Sequence, residues 1–367
     1  MKNIKQLLCL LVMLMTLTPA LASEKEGEGV DLQAILWGHV KDNYEWHVTD
    51  IGDTKVIIHL PVIVHSKNGW QVFMSDQIAH HPIADGKLKG YREAGKGTGL
   101  YIAPAGSLYE NKIVELSEDG TESRPFDISI TKTVVVLFID AILLLICILI
   151  PARWCRRHKI DDPAPKGFVG FMDMFVNYIY DEVVKPALGK EADKFAPYLL
   201  TCFFFIFVAN VMGIMPFPPG GGNLTGNITC TFFLAVCTLV VTNVSGTKHY
   251  WKDIFWPEVP WWLKVPAPLM PVIEVFSIFT KPLALMVRLF ANMLAGHAIA
   301  IALTCIIFIM ATMGAFMCGA MTIFSVALSI FMMLLEVLVC FIQALVFTML
   351  SAVFISLARV KGHEESE

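Results

Sequence analysis

Residues Pro282–Ala300 read PLALMVRLFANMLAGHAIA, with an arginine and a histidine inside an otherwise apolar run. The next charge towards the N-terminus is Lys281, seven residues before Arg288, and towards the C-terminus none follows until Glu336. A guanidinium keeps its proton in any protein environment, so it cannot be buried cheaply as a neutral group. At the centre of a bilayer it costs at least ~2.5–3.5 kcal/mol. A residue that expensive implies a use.

The run lies in one of two long apolar segments, 269–312 and 320–357. At 1.5 Å per residue each forms a helix of roughly 55–65 Å, about twice the hydrocarbon thickness. They can be divided into several short spans, or they are two long, steeply tilted helices. The only strong break between them is MGAFMCGA at 313–320, which has two glycines and no charge. Nothing elsewhere is polar enough for a loop, so the reading is one long helical hairpin.

Between Leu269 and Leu357 the charged residues are Glu274, Lys281, Arg288 and Glu336, accompanied by His297 and the amides Asn292 and Gln343. Glu274, Lys281 and Arg288 recur every seven residues and share one helix stripe, which Asn292 continues. Glu336 and Gln343 share a face of the second helix. In an antiparallel hairpin, residues at one level have a constant sum of numbers. That sum is 631 for Arg288 with Gln343 and 633 for His297 with Glu336, and both centre the turn near 316, inside MGAFMCGA. The two pairs then lie about 13 Å apart along the helix. His297 is nine residues from Arg288, half a turn round, so the two face different surroundings. Polar contacts between helices are worth under ~1–2 kcal/mol each. That suffices to explain Asn292 or Gln343 alone. Ionisable clusters inside a membrane mark ion or proton paths.

The rest of the chain agrees with a membrane protein. It is 56% hydrophobic and 16% charged against a soluble norm near ~25%, and its net charge of −4 gives no basic field for nucleic acid. The nine cysteines form neither a disulfide framework nor a metal spacing. Residues 1–22, MKNIKQLLCLLVMLMTLTPALA, have the layout of a cleavable secretory signal, with an uncleaved anchor as the alternative. Residues 23–130 hold six of the ten histidines and the β-like runs TKVIIHLPVIVH and GLYIAPAGSLYENKIVEL. They read as a small β-rich extracytoplasmic domain. The histidines match no metal spacing, and neither metal nor cofactor is expected.

Residues 131–367 read as the membrane domain. A first span at about 133–151 is followed by ARWCRRHK, which marks the cytoplasmic side. Residues 167–194 alternate aromatic and charged positions, as an amphipathic surface helix does. Spans at 196–216 and 227–246 flank FPPGGGNLTG, a loop without Lys or Arg that fits the outside. With the hairpin this makes an all-α polytopic protein of about five crossings, the mature N-terminus outside and the polar ARVKGHEESE terminus cytoplasmic.

The stretch EVFSIFTKPLALMVRLFANMLAGH resembles the signature of the a subunit of F-type ATP synthase membrane sectors, in which RLFGN-M-AG surrounds an obligatory arginine. FIQALVFTMLSAVFISLA and PYLLTCFFFIFVANVMGIMP are similar to further segments of that family, and the likeness covers roughly 130–360. The resemblance implies a non-catalytic, proton-translocating stator subunit in a bacterial inner membrane, with no nucleotide site of its own. Its implied partners are a ring of c subunits, a b-subunit peripheral stalk, a soluble ATPase head and the lipid bilayer. It implies that Arg288 attracts each ring carboxylate and blocks direct flow between two offset half-channels. It places His297 and Glu336 in the outer half-channel with Asn210 nearby, Glu274 by the cytoplasmic exit, and Gln343 beside Arg288. Asn292 is carried as a further proton-path residue.

Three departures stand out. Ala291 replaces the usual glycine, and Gly213 stands where some relatives have aspartate. His297 and Glu336 are exchanged relative to many bacterial members, as in mitochondrial ones. A carboxylate–imidazole pair serves a proton path whichever helix bears which partner. The extension 23–130 is much longer than usual. A secondary ion transporter or channel is the alternative function, but no internal repeat supports it. There is no HExxH, GxSxG or phosphate loop for a membrane enzyme.

Overall fold

The computed structural model describes residues 42–360 apart from 52–53, 80, 84–89, 96, 105, 117–120, 159–162, 216–221, 223, 256–268 and 312–314. The leader expected over 1–22, His39, His80, most of the 217–226 loop and the polar tail beyond 360 lie outside these residues. The described chain forms two compact units, one over 42–138 and the other over 139–360.

The first unit is built from short antiparallel strands. β1 (Glu45–Ile51) pairs with β2 (Thr54–His59). β3 (Pro61–Ser66) lies between β4 (Gly69–Met74) and β9 (Phe126–Asp127). A third sheet runs β5 (Arg92–Glu93), β6 (Leu100–Ile102), β7 (Ile113–Leu116), β8 (Glu122–Ser123). The alternation in PVIVHS decides the β3 face: Val62, Val64 and Ser66 are buried, while Pro61, Ile63 and His65 are not. Lys67 and Asn68 turn the β3–β4 hairpin, and Gly69 follows at φ 97°, where a side chain is strained. Tyr44 sits in the core with Phe73, Leu100 and Ile113 and donates to Asp127 Oδ2 at 2.6 Å. Burial and that acceptor raise its pKa. The β-rich reading of 23–130 therefore holds over its described part.

From β9 the chain passes into α1 (Lys132–Arg157), whose start is fastened to the same unit. Ile130 N–H donates to Pro61 O, Lys132 N–H to Asn43 O, and Thr133 gives both its N–H and its hydroxyl to Asp42 Oδ1 at 3.1 and 2.8 Å. A carboxylate brought from 91 residues away thus satisfies one of α1's free N–H groups. The helix continues through Pro151, so Arg156 and Arg157 form its last turn, where cations favour the helix dipole.

Residues 167–194 do not form a separate surface helix. α2 (Phe168–Ile179), a π turn (Tyr180–Val184), α3 (Lys185–Leu188) and a 3₁₀ turn (Gly189–Glu191) lead directly into α4 (Ala192–Ile214). Together they make one helical segment of 47 residues. Its apolar positions Met172, Ile179 and Val183 are buried against Phe203, Phe204, Leu285 and Phe347. The stripe of Met172, Ile179 and Val183 faces protein, while Phe168, Phe171, Met174 and Tyr178 on the other side of α2 are exposed.

α5 (Ile228–Val244) is capped by Asn227, whose side chain accepts from Thr229 N–H. A bend of 104° separates it from α6 (Lys248–Phe255). α7 (Leu269–Ala311) and α8 (Ala315–Ala358) then run 43 and 44 residues. Among the described residues four helices are long and apolar enough to cross a membrane, or five with the bent α5–α6 pair as one span. The molecule is a multi-pass membrane protein.

Candidate ion-translocation site

The site is built where α7 and α8 lie side by side. Gln343 Nε2 on α8 reaches the backbone carbonyl of Arg288 on α7 at 3.4 Å. Further along, His297 Nδ1 and Glu336 Oε1 are 4.0 Å apart, and both side chains are mostly buried. The two cross-helix levels expected from the sequence are therefore both present. At 4.0 Å the His–Glu contact is an ion-pair distance and not a hydrogen bond. Glu336 Oε1 is buried without a hydrogen-bond partner.

Close approach at the second level depends on Gly296. A Cβ built there would lie 2.4 Å from Glu336 Oε1. The glycine in NMLAGHA thus opens the space that the Glu336 carboxylate occupies next to His297.

Arg288 is placed differently. Its side chain is exposed on the isolated chain, as are Leu283 and Val287 on α7 and Leu338 and Ile342 on α8. Behind it Leu285, Leu289, Phe203 and Phe347 form a closed apolar core. Among the described residues no carboxylate lies within ion-pair distance of its guanidinium. A fixed charge is presented outwards on an apolar wall. His297, half a turn round, is instead turned into the bundle against Glu336.

The remaining residues expected at the site are spread along the bundle. Asn292 is half-buried one turn beyond Arg288. Asn210 is buried near the end of α4 and accepts from Thr225 Oγ1 at 2.6 Å. Glu274, in the first turns of α7, lies within electrostatic reach of Tyr250 on α6. Lys281 Nζ stands 5.8 Å over the Phe354 ring and borders a cavity of about 30 Å³ with Thr242, Asn243, Tyr250 and Pro282. That volume holds a water molecule.

Two features were missed in the sequence. Arg359 forms a bidentate pair with Glu191, both contacts 2.6 Å, and donates to Ser245 O. Thr247 bonds Ala358 O and Val360 O, so the start of α4 and the ends of α5 and α8 are tied at one level. The second feature is Asp140, fully buried in α1 with both carboxylate oxygens unpartnered. Its signal was visible: LFIDAILLL holds the only charged residue between Lys132 and Arg153. Among the described residues no three His, Cys, Asp or Glu side chains converge as metal donors.

Residues 134–356 match the model of the ATP synthase A chain family. The chain belongs to this family. Every residue proposed for the site lies inside the match. The chain is 41% identical over 194 residues to ATP synthase subunit a 2 of Chlorobaculum tepidum, covering 52% of this chain and 53% of that protein. It is 38% identical over 192 residues to ATP synthase subunit a of Myxococcus xanthus, 50% and 59% of the two chains. With ATP synthase subunit a 2 of Prosthecochloris aestuarii it shares 36% over 263 residues, 69% and 71% of the two. The chain thus spans about half the length of the first curated relatives it matches. Residues 35–130 match a second model, described as a domain of unknown function (DUF8433).

Proposed function

We propose that this chain is the proton-translocating stator subunit of an F-type ATP synthase membrane sector, working against a rotating ring of c subunits. The observation that carries the reading is Arg288, a permanent cation exposed on an apolar membrane-buried wall with no carboxylate among the described residues to pair with. A charge so placed is stabilised by an acid supplied by another chain, and ring carboxylates passing the wall meet that requirement. Each would be drawn to Arg288 as it loses its proton, and the same charge would bar protons from crossing directly. Gln343, bonded to the Arg288 carbonyl, would steady this turn of α7.

His297 and Glu336 would carry protons on the outer side, with Asn210 and Asn292 along the path. Near neutral pH an imidazole–carboxylate pair can both accept and release a proton. Glu274 would serve the cytoplasmic exit, and the water-sized cavity beside Lys281 lies on that part of the bundle. In this reading residues 1–22 are a secretory leader and the β unit is outside. The arginine-rich end of α1 and the C-terminus are cytoplasmic, and the membrane is a bacterial inner membrane. A b-subunit stalk and a soluble head would complete the complex.

The test is Arg288→Ala in assembled complexes. Proton-driven ATP synthesis is expected to fall at least 100-fold with assembly retained, and Arg288→Lys to fail nearly as badly, since lysine lacks the planar fork and can release its proton. Near-normal synthesis by assembled Arg288→Ala would overturn the reading.

A further inference from the structure

We propose that Asp140 is a further proton-exchanging group of the outer half-channel, placed between external water and the His297–Glu336 pair. The inference rests on the half-channel reading above and adds a residue on α1, which that reading leaves without a role.

Asp140 is fully buried although it sits on a helix with a largely exposed outer surface. Phe138, Ile142, Leu145, Ile146 and Leu149 all point away from the bundle. The opposite stripe, at 140, 144, 147 and 148, points inwards, and Leu144, Cys147 and Ile148 pack on the helical core. The carboxyl therefore faces protein and not lipid. Neither of its oxygens has a hydrogen-bond partner. Buried carboxyls in that position are met by water or by a proton. A structural carboxyl would instead be expected to show its partner, as Asp42 and Asp127 do.

The surroundings give it a direction. Asp140 lies about 12 Å along α1 from Lys132 and within electrostatic reach of Cys230, in the first turn of α5. The same end of α5 holds the buried Thr231, and Thr225 just before it is bonded to Asn210. From there α5 runs packed along α7, the helix that carries His297. Asp140 thus lies by the first turn of α5, and the buried Asn210 is bonded to the residue just before that helix, at the end of the bundle assigned to the outside. The step is a simple proton exchange. The carboxylate takes a proton from hydronium in the outer water, forming an O–H bond and releasing H₂O. It then gives that proton to the next water inwards, and nothing is oxidised or reduced.

The experiment has two arms. In assembled complexes reconstituted in vesicles with the head removed, passive proton conduction is measured for Asp140→Asn, which keeps shape and polarity but cannot exchange the proton, and for Asp140→Glu. A three- to tenfold loss per complex is expected for Asn, with recovery in Glu. Wild-type conduction by Asp140→Asn overturns the proposal. Should that variant fail to assemble, the second arm decides on the unaltered protein. A water-soluble carbodiimide and a small amine are added from the β-unit side, and adducts are mapped by mass spectrometry. Modification of Asp140 is expected. An unmodified Asp140 beside a modified Asp76, which is exposed on the β unit, also overturns it. His297→Ala runs in parallel: if it also conducts normally, the half-channel reading has failed, whereas a block in it with normal Asp140→Asn defeats the Asp140 assignment alone.

Discussion

A methyl group at position 296 would sit 2.4 Å from Glu336 Oε1, so this glycine tests the role of the His297–Glu336 contact without touching either residue. The atom in the way is the free end of a carboxylate, which can swing aside at small packing cost. Gly296→Ala is therefore expected to assemble normally and to slow proton-driven synthesis several-fold by displacing Glu336 from His297. Normal synthesis in that variant would show that the 4.0 Å contact is dispensable. The pair itself is tested by a double-mutant cycle. His297→Ala and Glu336→Ala are each expected to lower synthesis at least tenfold, and the double variant to cost less than the two together. The exchanged chain, His297→Glu with Glu336→His, should recover more activity than either exchanged single variant. Strictly additive losses and no recovery would mean that the two residues serve separate paths.

At the scale of elements, the hairpin is the part that periodicity describes best. The two apolar runs of about forty residues became helices of 43 and 44 residues, but the second begins at Ala315, so most of MGAFMCGA, expected as the break, is helical. The segment 167–194 read less well, because an amphipathic stripe facing a membrane surface and one facing a neighbouring helix look alike in sequence. What holds the helix ends in register is the Arg359 fork on Glu191 together with the bonds of Thr247. Its partner lies 168 residues away, beyond the reach of any local pattern. Arg359→Gln is expected to lower the stability of the purified subunit by about 1 kcal/mol, measured by thermal unfolding, because a charge-assisted bidentate contact is lost. Arg359→Lys should restore only part of it, lacking the planar fork. The bonds to Glu191 also raise the Arg359 pKa further above its already high value.

For the whole molecule, the β unit has its own core around Val62, Leu100 and Ile113, and the proposed proton path lies entirely in the helical unit. Removing residues 31–122 behind the leader is expected to spare proton conduction through complexes that assemble. The deletion also takes away Asp42, which caps α1, and β3, which holds the strand before it. A loss of about 1 kcal/mol of α1 stability and a lower yield of complex should follow. Assembled complexes that no longer conduct would place the β unit inside the path.

The sequence by itself determined the class of protein, the long hairpin and the register of its polar pairs. Those features depend on hydrophobic run length and on residue numbering along two straight rods, both of which are local. It also supplied Arg288 as a residue needing explanation, because an unneutralisable charge in an apolar run is costly wherever it folds. Tertiary structure alone decided which way each polar group faces. It turned Arg288 outwards and His297 inwards against Glu336, joined α2 to α4 through buried phenylalanines, and brought Asp42 to the start of α1. It also enclosed Asp140 without a partner, although the acid itself was plain to read in LFIDAILLL. Burial and pairing are properties of neighbours far apart in the chain, so no spacing rule in a single sequence can supply them.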